Sequence, residues 1–343
     1  MRVDRINKGM NKLFTVFLFI FMAGVFLSAC SDTTLNQDSN PTGQDSGAAL
    51  SQDNDNTMNQ DNVTSLSQDG SAQNSGGEML SAKNSCVWSI GSYPGWVQEY
   101  QPLPPDEIDY SLWTHILHFA MYPTSDGRLG NGEIFDAGAD AAVAAGHAAG
   151  VPVVLVVGGE DYGNEFVIAT DDAHRSQFIT DIVDRVKRHG YDGISVDWEE
   201  RVPGHEDQLI ALVRELRTAL DKINSDLLLL IDVVSGLVPP PVVAQLVDDV
   251  DTINIMSYWD DGEDQVEDYI AAGVPASKIV LGVGLSPGLV DQTPEDIENK
   301  IAIVIKHDLR GLEIWTMGNI IGPDDPRMQP LRDVVANTAQ LCS

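Results

Sequence analysis

The chain has 343 residues, and its 20 Lys and Arg stand against 52 Asp and Glu, a formal net charge of −32. Acidity on that scale excludes nucleic acid as a partner and excludes electrostatic docking on anionic lipid, because both need clustered cations. Hydrophobic residues make up 43% of the sequence, enough for a sizeable core.

Residues 1–29 read as a signal peptide. Arg2, Arg5, Lys8 and Lys12 give a positive start, and 13–29 form an apolar core. The core stops at Leu27-Ser28-Ala29-Cys30, which resembles the bacterial lipobox, where cleavage precedes a cysteine that is then lipidated. The alternative is an uncleaved anchor helix. Lipidation at Cys30 implies a chain anchored to a membrane rather than spanning it. The expected location is the outside of the cytoplasmic membrane or the outer membrane of a bacterium, possible cell surface included, since Ser31 is not the inner-membrane retention aspartate. Loss of 1–29 removes four basic residues and one acidic one, which leaves the mature chain near −35.

Residues 30–85, beginning with the lipidated cysteine, are expected to form a disordered tether. The segment 31–85 has no aromatic residue and a single Lys, Lys83, among abundant Ser, Asn, Gln, Asp and Gly. Gln-Asp recurs at 37, 44, 52, 60 and 68, as in a slipped low-complexity repeat. As a random coil it reaches about 40 Å. The tether leads directly into residues 86–343, a length suited to one α/β barrel, with no room for a separate binding module.

Within 86–343, apolar runs alternate with amphipathic stretches. Strands are predicted at 87–92, 114–120, 152–158, 193–199, 227–234, 252–258, 279–285 and 311–316. Helices are predicted over 172–189, ended by Gly190, over 206–223, and from Thr293-Pro294, a cap followed by Pro in the first turn. Eight such units make a (β/α)8 TIM barrel, with chemistry at the C-terminal strand ends. About 24 residues separate the last two strands. That excludes a large α+β insertion and predicts an open groove. Cys86 and Cys342 bracket this domain. The first strand and last helix of a closed barrel are neighbours, so an oxidising compartment favours a disulfide, with two free thiols as the alternative.

The segment 191–200, YDGISVDWEE, carries the chemistry. Strand alternation puts Gly193, Ser195, Asp197 and Glu199 on one face. Two carboxylates on an inward face must be paired, hydrogen-bonded or shifted in pKa, and an acid held protonated beside a carboxylate is equipment for breaking a glycosidic bond. An acidic strand end facing solvent is the alternative. No metal or other cofactor is expected, because His115 and His118 lie three apart on a strand and face opposite ways.

The chain resembles glycoside hydrolase family 18, the chitinases and endo-β-N-acetylglucosaminidases. The family signature D-G-x-D-x-D-x-E reads Asp192-Gly193-Ile194-Ser195-Val196-Asp197-Trp198-Glu199 here. SYPGW (92–96), LHFAMYP (117–123), VVGGE, NIMSYW and EIWT follow the family's order. The resemblance implies endo cleavage of β-1,4-linked N-acetylglucosamine by a retaining, substrate-assisted route. Glu199 is then the general acid, Asp197 orients the 2-acetamido group that attacks the anomeric carbon, and Tyr258 holds its carbonyl. Trp315 forms the floor, and Tyr93 and Asp192 join it in substrate binding. The implied partner is an N-acetylglucosamine-containing polysaccharide or glycan, bound by a monomer.

Three departures stand out. Ser195 replaces the signature's middle aspartate, Val156 stands where the family carries a serine that supports it, and Trp259 follows Tyr258 where aspartate is usual, with Asp260 one residue later. Glu313, on the inward face with Trp315, is expected to supply the missing carboxyl in the layer of Ser195. Cleavage of N-glycans, and a catalytically inactive sugar-binding protein, are the alternative functions.

Overall fold

The computed structural model describes residues 87–337, apart from 101–102, 235, 288–289, 321 and 323, with the backbone alone at 99, 100 and 337. The expected leader and tether, Cys30, Cys86 and Cys342 lie outside the described residues.

Eight parallel strands close into a barrel. They are β1 (Trp88–Pro94), β2 (His115–Met121), β3 (Val153–Gly158), β4 (Gly193–Asp197), β5 (Leu228–Val233), β6 (Thr252–Ile255), β7 (Ile279–Ser286) and, after the two-residue strand β8 (Val290–Asp291), β9 (Gly311–Trp315). Each pairs with its successor from β1 to β7, β7 pairs with β9, and β9 closes on β1. The chain is therefore the expected (β/α)8 TIM barrel. Between β7 and β9 the described residues carry only β8 and a helix.

The helices are α1 (Gly95–Tyr100), α2 (Asp136–Ala149), α3 (Gly163–Ala169), α4 (Arg175–His189), α5 (Glu206–Asp221), α6 (Pro240–Val243), α7 (Glu263–Ala271), α8 (Pro294–His307) and α9 (Gln329–Asn337). Their boundaries follow local chemistry. Helix α8 starts in a capping box: the Thr293 hydroxyl accepts from the Asp296 amide and the Asp296 carboxylate accepts from the Thr293 amide. Helix α4 stops at Gly190, which sits at φ 76° and closes the last turn onto the Val186 carbonyl. Its apolar stripe Phe178, Ile179, Ile182, Val183 and Val186 is buried against the strands, as the periodicity predicts.

Two cores result. The larger lies between strands and helices, and the smaller fills the barrel with Ile90, Leu117, Phe119, Val154, Val156, Leu230 and Val280. Two predicted strands are shorter than expected: β4 ends at Asp197 and β6 at Ile255. Glu199 and Tyr258 therefore stand on the segments that leave the barrel mouth. Among the described residues, no helix is long and apolar enough to cross a membrane.

Candidate active site

Strand register decides which side chains meet inside the barrel. Asp197 on β4 lies beside Gly158 on β3 and Asp232 on β5, and one layer below, Ser195 lies between Val156 and Leu230. Asp197 is 4% exposed. It approaches β3 so closely that a Cβ on Gly158 would stand 2.0 Å from the Asp197 carbonyl oxygen, and Gly158 sits at φ +125°. Only glycine satisfies both conditions. The Gly159 amide donates to that same carbonyl at 2.8 Å, which fixes the backbone under the carboxylate.

Beyond Asp197 the chain is locked by Trp198, which points outward. Its ring stacks on Phe166 at 5.0 Å and 10°, and its Nε1 donates to the Glu200 carbonyl. That anchor orients Glu199 toward the mouth. Burial, followed by the Glu160, Asp232 and Glu200 carboxylates, pushes Glu199 up to about 8, while the Glu160 backbone amide pulls it back. Burial and then Glu199, Asp232 and Glu313 raise Asp197 well above the carboxylate range. Its Oδ1 is buried with no hydrogen-bond partner among the described residues. Such an atom is costly unless a ligand completes it.

Tyr258 enters from the far side. Burial and the Glu313, Asp232, Asp197 and Glu199 carboxylates push its phenol well above the usual value, so its hydroxyl belongs to the same cluster. Space for its ring comes from β7: a Cβ on Gly282 would meet Tyr258 Cε1 at 2.8 Å. The backbone just before it is held by Lys300, a fully buried side chain of α8. Its Nζ donates to the Ser257 carbonyl at 2.6 Å, the Gly282 carbonyl at 2.8 Å and Ser257 Oγ at 3.0 Å. Three acceptors keep that buried ammonium tolerable, although burial still lowers it to about 8.

Aromatic rings frame the mouth. Trp315, at the end of β9, packs edge-on against Phe119 at 4.7 Å and against Trp96 at 5.9 Å. Tyr122 and Tyr162 stack at 4.0 Å and 17° on the β2–β3 side. Trp259 is 58% exposed and tilts against Tyr258 at 5.8 Å. Carboxylates among aromatic faces suit a sugar, whose ring offers hydroxyls at its rim and C–H groups on its faces.

Two sequence-based assignments are corrected. Asp192 is not at the mouth. It precedes β4 at the opposite end of the barrel, where its Oδ2 pairs with His147 Nε2 at 2.8 Å and accepts from the Val153 amide at 2.7 Å. Tyr93 does not face the interior either, because alternation along β1 turns Ser92 inward and Tyr93 outward. It is fully buried between barrel and helices, stacked on His118, with its hydroxyl donating to the Leu103 carbonyl. The expectation for Glu313 is corrected in part. Its carboxyl is 3% exposed inside the barrel and burial, chiefly, raises it to about 8, but it accepts from Ser92 Oγ at 2.6 Å. Ser195 instead donates to Asp232 Oδ2 at 2.5 Å.

The model of the family described as glycosyl hydrolases family 18 matches residues 91–286, more than half of the chain. The chain belongs to glycosyl hydrolase family 18. Chitinase 1 of Aphanocladium album is 25% identical over 254 residues, covering 57% of this chain and 59% of that protein. A chitinase-like mite allergen of Dermatophagoides farinae is 27% identical over 138 residues, covering 39% and 29%. The chain thus spans from under a third to about three fifths of the length of these relatives. Among solved structures, the Rhizomucor miehei chitinase superposes with a TM-score of 0.61 at 20% identity, over 72% of this chain and 99% of that one. A Cycas revoluta family 18 chitinase in complex with (GlcNAc)3 gives 0.61 at 17%, over 74% and 100%. At such identities these likenesses speak for the fold.

Against the family pattern, two residues escaped the sequence reading. Asp232 was signalled by an aspartate interrupting the apolar run LLLLIDVV, and Lys300 by a lysine on the buried face of α8, in line with Ile297, Ile303 and Val304. Val156 and Ser195, the two departures inside the barrel, prove to be register neighbours, so the apolar and the hydroxyl side chain fill one layer together.

Proposed function

We propose that the chain is a chitinase-type glycosidase that cleaves β-1,4-linked N-acetylglucosamine polymers internally, with retention and with help from the substrate's own acetamido group. The observation that carries this reading is the buried Oδ1 of Asp197, without a partner among the described residues, close to Glu199, whose carboxyl burial pushes up to about 8. An acetamide N–H is a fitting donor for that oxygen. Glu199, held near 8, keeps its proton at neutral pH and delivers it to the glycosidic oxygen.

As the acetamide carbonyl attacks the anomeric carbon, positive charge grows on its nitrogen. A carboxylate at Asp197 stabilises that charge in a site sheltered from water, and the Tyr258 hydroxyl orients the carbonyl. The face of Trp315, steadied by Phe119 and Trp96, supports the sugar ring from below. The short β7–β9 connection favours an open groove, hence cuts within a chain.

The leader and tether belong to the same reading: lipid on Cys30 holds a single-copy barrel at a bacterial surface, within reach of an insoluble polysaccharide. Cys30→Ala is expected to release the protein from membranes into the soluble fraction. The function is tested by incubating wild type and Glu199→Gln with chitin oligosaccharides and with a high-mannose glycoprotein. Oligosaccharide cleavage by wild type alone supports the proposal. Cleavage of the glycoprotein alone assigns it to N-glycans, and binding without cleavage makes it a sugar-binding protein.

A further inference from the structure

Asp232 has no role in the chemistry above, yet it is the best-solvated carboxylate of the barrel interior in terms of protein donors. Asp197 and Asp232 are register partners on adjacent parallel strands, 4% and 7% exposed. Two donors converge on Asp232: Ser195 Oγ reaches Oδ2 at 2.5 Å, and Asn254 Nδ2 reaches Oδ1 at 2.8 Å. The direction of the Asn254 amide is set in turn by Thr252 Oγ1, which donates to Asn254 Oδ1 at 3.0 Å. Asp197 Oδ1, by contrast, receives no donor among the described residues.

Two carboxyls side by side in a dry interior cannot both ionise, and donors favour the charged form of the group they reach. We propose that Asp232 is a positioning residue that carries the resident negative charge of the buried cluster and thereby holds the proton on Asp197. Ser195, the residue that breaks the family signature, then has a definite task. It is short enough to leave room for a carboxyl from the next strand and supplies one of that carboxyl's two bonds.

The surroundings agree. The titratable groups around Asp197 are Glu199 beyond it on the same segment, Asp232 from β5, Glu313 from β9, and the phenols of Tyr258 after β6 and Tyr122 after β2. Strand β3 offers Val156 and Gly158 there, and β7 offers Gly282. Among the described residues no cation is named among the groups acting on Asp197 and Asp232, so hydrogen-bond donors decide where the charge rests. Asp232 is held at about 6, burial raising it and Ser195 and Asn254 lowering it, whereas Asp197 is driven well above its ordinary value. The pH at which Asp197 becomes available as an anion is thus set from β5.

The assignment draws its functional meaning from the glycosidase reading, but its test needs no sugar. The full chain, carbon-13 labelled at aspartate carboxyls and assigned with Asp197→Asn and Asp232→Asn, is titrated by NMR. In wild type, Asp232 should lose its proton at lower pH than Asp197. Asp232→Asn should move the Asp197 titration down by about one pH unit or more, the size typical of removing an adjacent like charge. Ser195→Ala, which keeps the charge and deletes one donor, should move Asp232 up. An Asp197 titrating below Asp232 in wild type overturns the proposal, as does an Asp197 unmoved in Asp232→Asn. If that variant does not fold, an Asp232 unmoved in Ser195→Ala overturns it alone. With (GlcNAc)4 as substrate, the acid limb of kcat should follow the Asp197 titration in each variant. Absence of any hydrolysis by wild type would count against the glycosidase reading and leave the titration result standing.

Discussion

The two ends of β4 treat their aspartates in opposite ways. At the N-terminal end, Asp192 is a satisfied acceptor, half-exposed and bonded to His147 and to the Val153 amide, where it ties β3 to α2. At the C-terminal end, Asp197 is buried beside three other carboxyls and has an oxygen with no partner. One aspartate lowers the energy of the fold, and the other raises it in exchange for a site complementary to a ligand. The same five-residue strand therefore separates stability from chemistry, as parallel barrels do between their bottom and top faces.

Mutations should expose that division. The largest effect is expected from Glu199→Gln, which removes the proposed proton donor and on that proposal lowers kcat on chitin oligosaccharides by on the order of 10³-fold or more. Its melting temperature should hold or rise, as read by calorimetry alongside the rate assay. Asp197→Asn should follow, with a loss on the order of 10² to 10³ in kcat if Asp197 stabilises the developing charge as proposed. It too should leave stability intact. If either substitution unfolds the protein, the mouth is part of the scaffold and the contrast fails.

The pH dependence should separate the ends as well. In the proposed mechanism Glu199 acts as an acid while protonated, so kcat should fall as pH rises through about 8. Stability follows the same sign. Glu199 and Glu313 each rise from 4.5 unfolded to about 8 folded, so the folded state binds the extra protons. Their contribution is complete below pH 4.5 and is lost as pH climbs to 8. The melting temperature should therefore drop across that window, and Glu313→Gln should flatten the drop. The smallest effect on rate belongs to Asp192→Ala. It should cost about 1–2 kcal/mol of stability, from two hydrogen bonds, and leave kcat and its pH profile unchanged.

The barrel itself was largely legible. Alternating apolar runs and helical stripes predicted eight strands within a few residues, because periodicity of burial is written along the chain. The capping box at Thr293 and the stop at Gly190 were equally local. The inward direction of Asp197 and Glu313 followed from alternation, as did the opposed faces of His115 and His118: His115 meets Trp88 inside the barrel and His118 meets Tyr191 outside. The errors were of another kind. Tyr93 was assigned to the site although the same alternation turns it outward from Ser92, and Asp192 was carried along with a motif whose ends lie at opposite faces of the barrel.

What the sequence by itself determined is the fold, the carboxylate pair after an apolar strand, and the substitution at Ser195. What only the tertiary structure decided is which carboxyl answers Ser195. Strand order and register are properties of the closed sheet, and Asp232 lies 37 residues away along the chain. No local pattern links the two, since their meeting depends on a one-residue choice of register between β4 and β5. A shift of one residue would turn Asp232 out to the helices and bring the Leu229, Ile231 and Val233 set inward beside Ser195 instead.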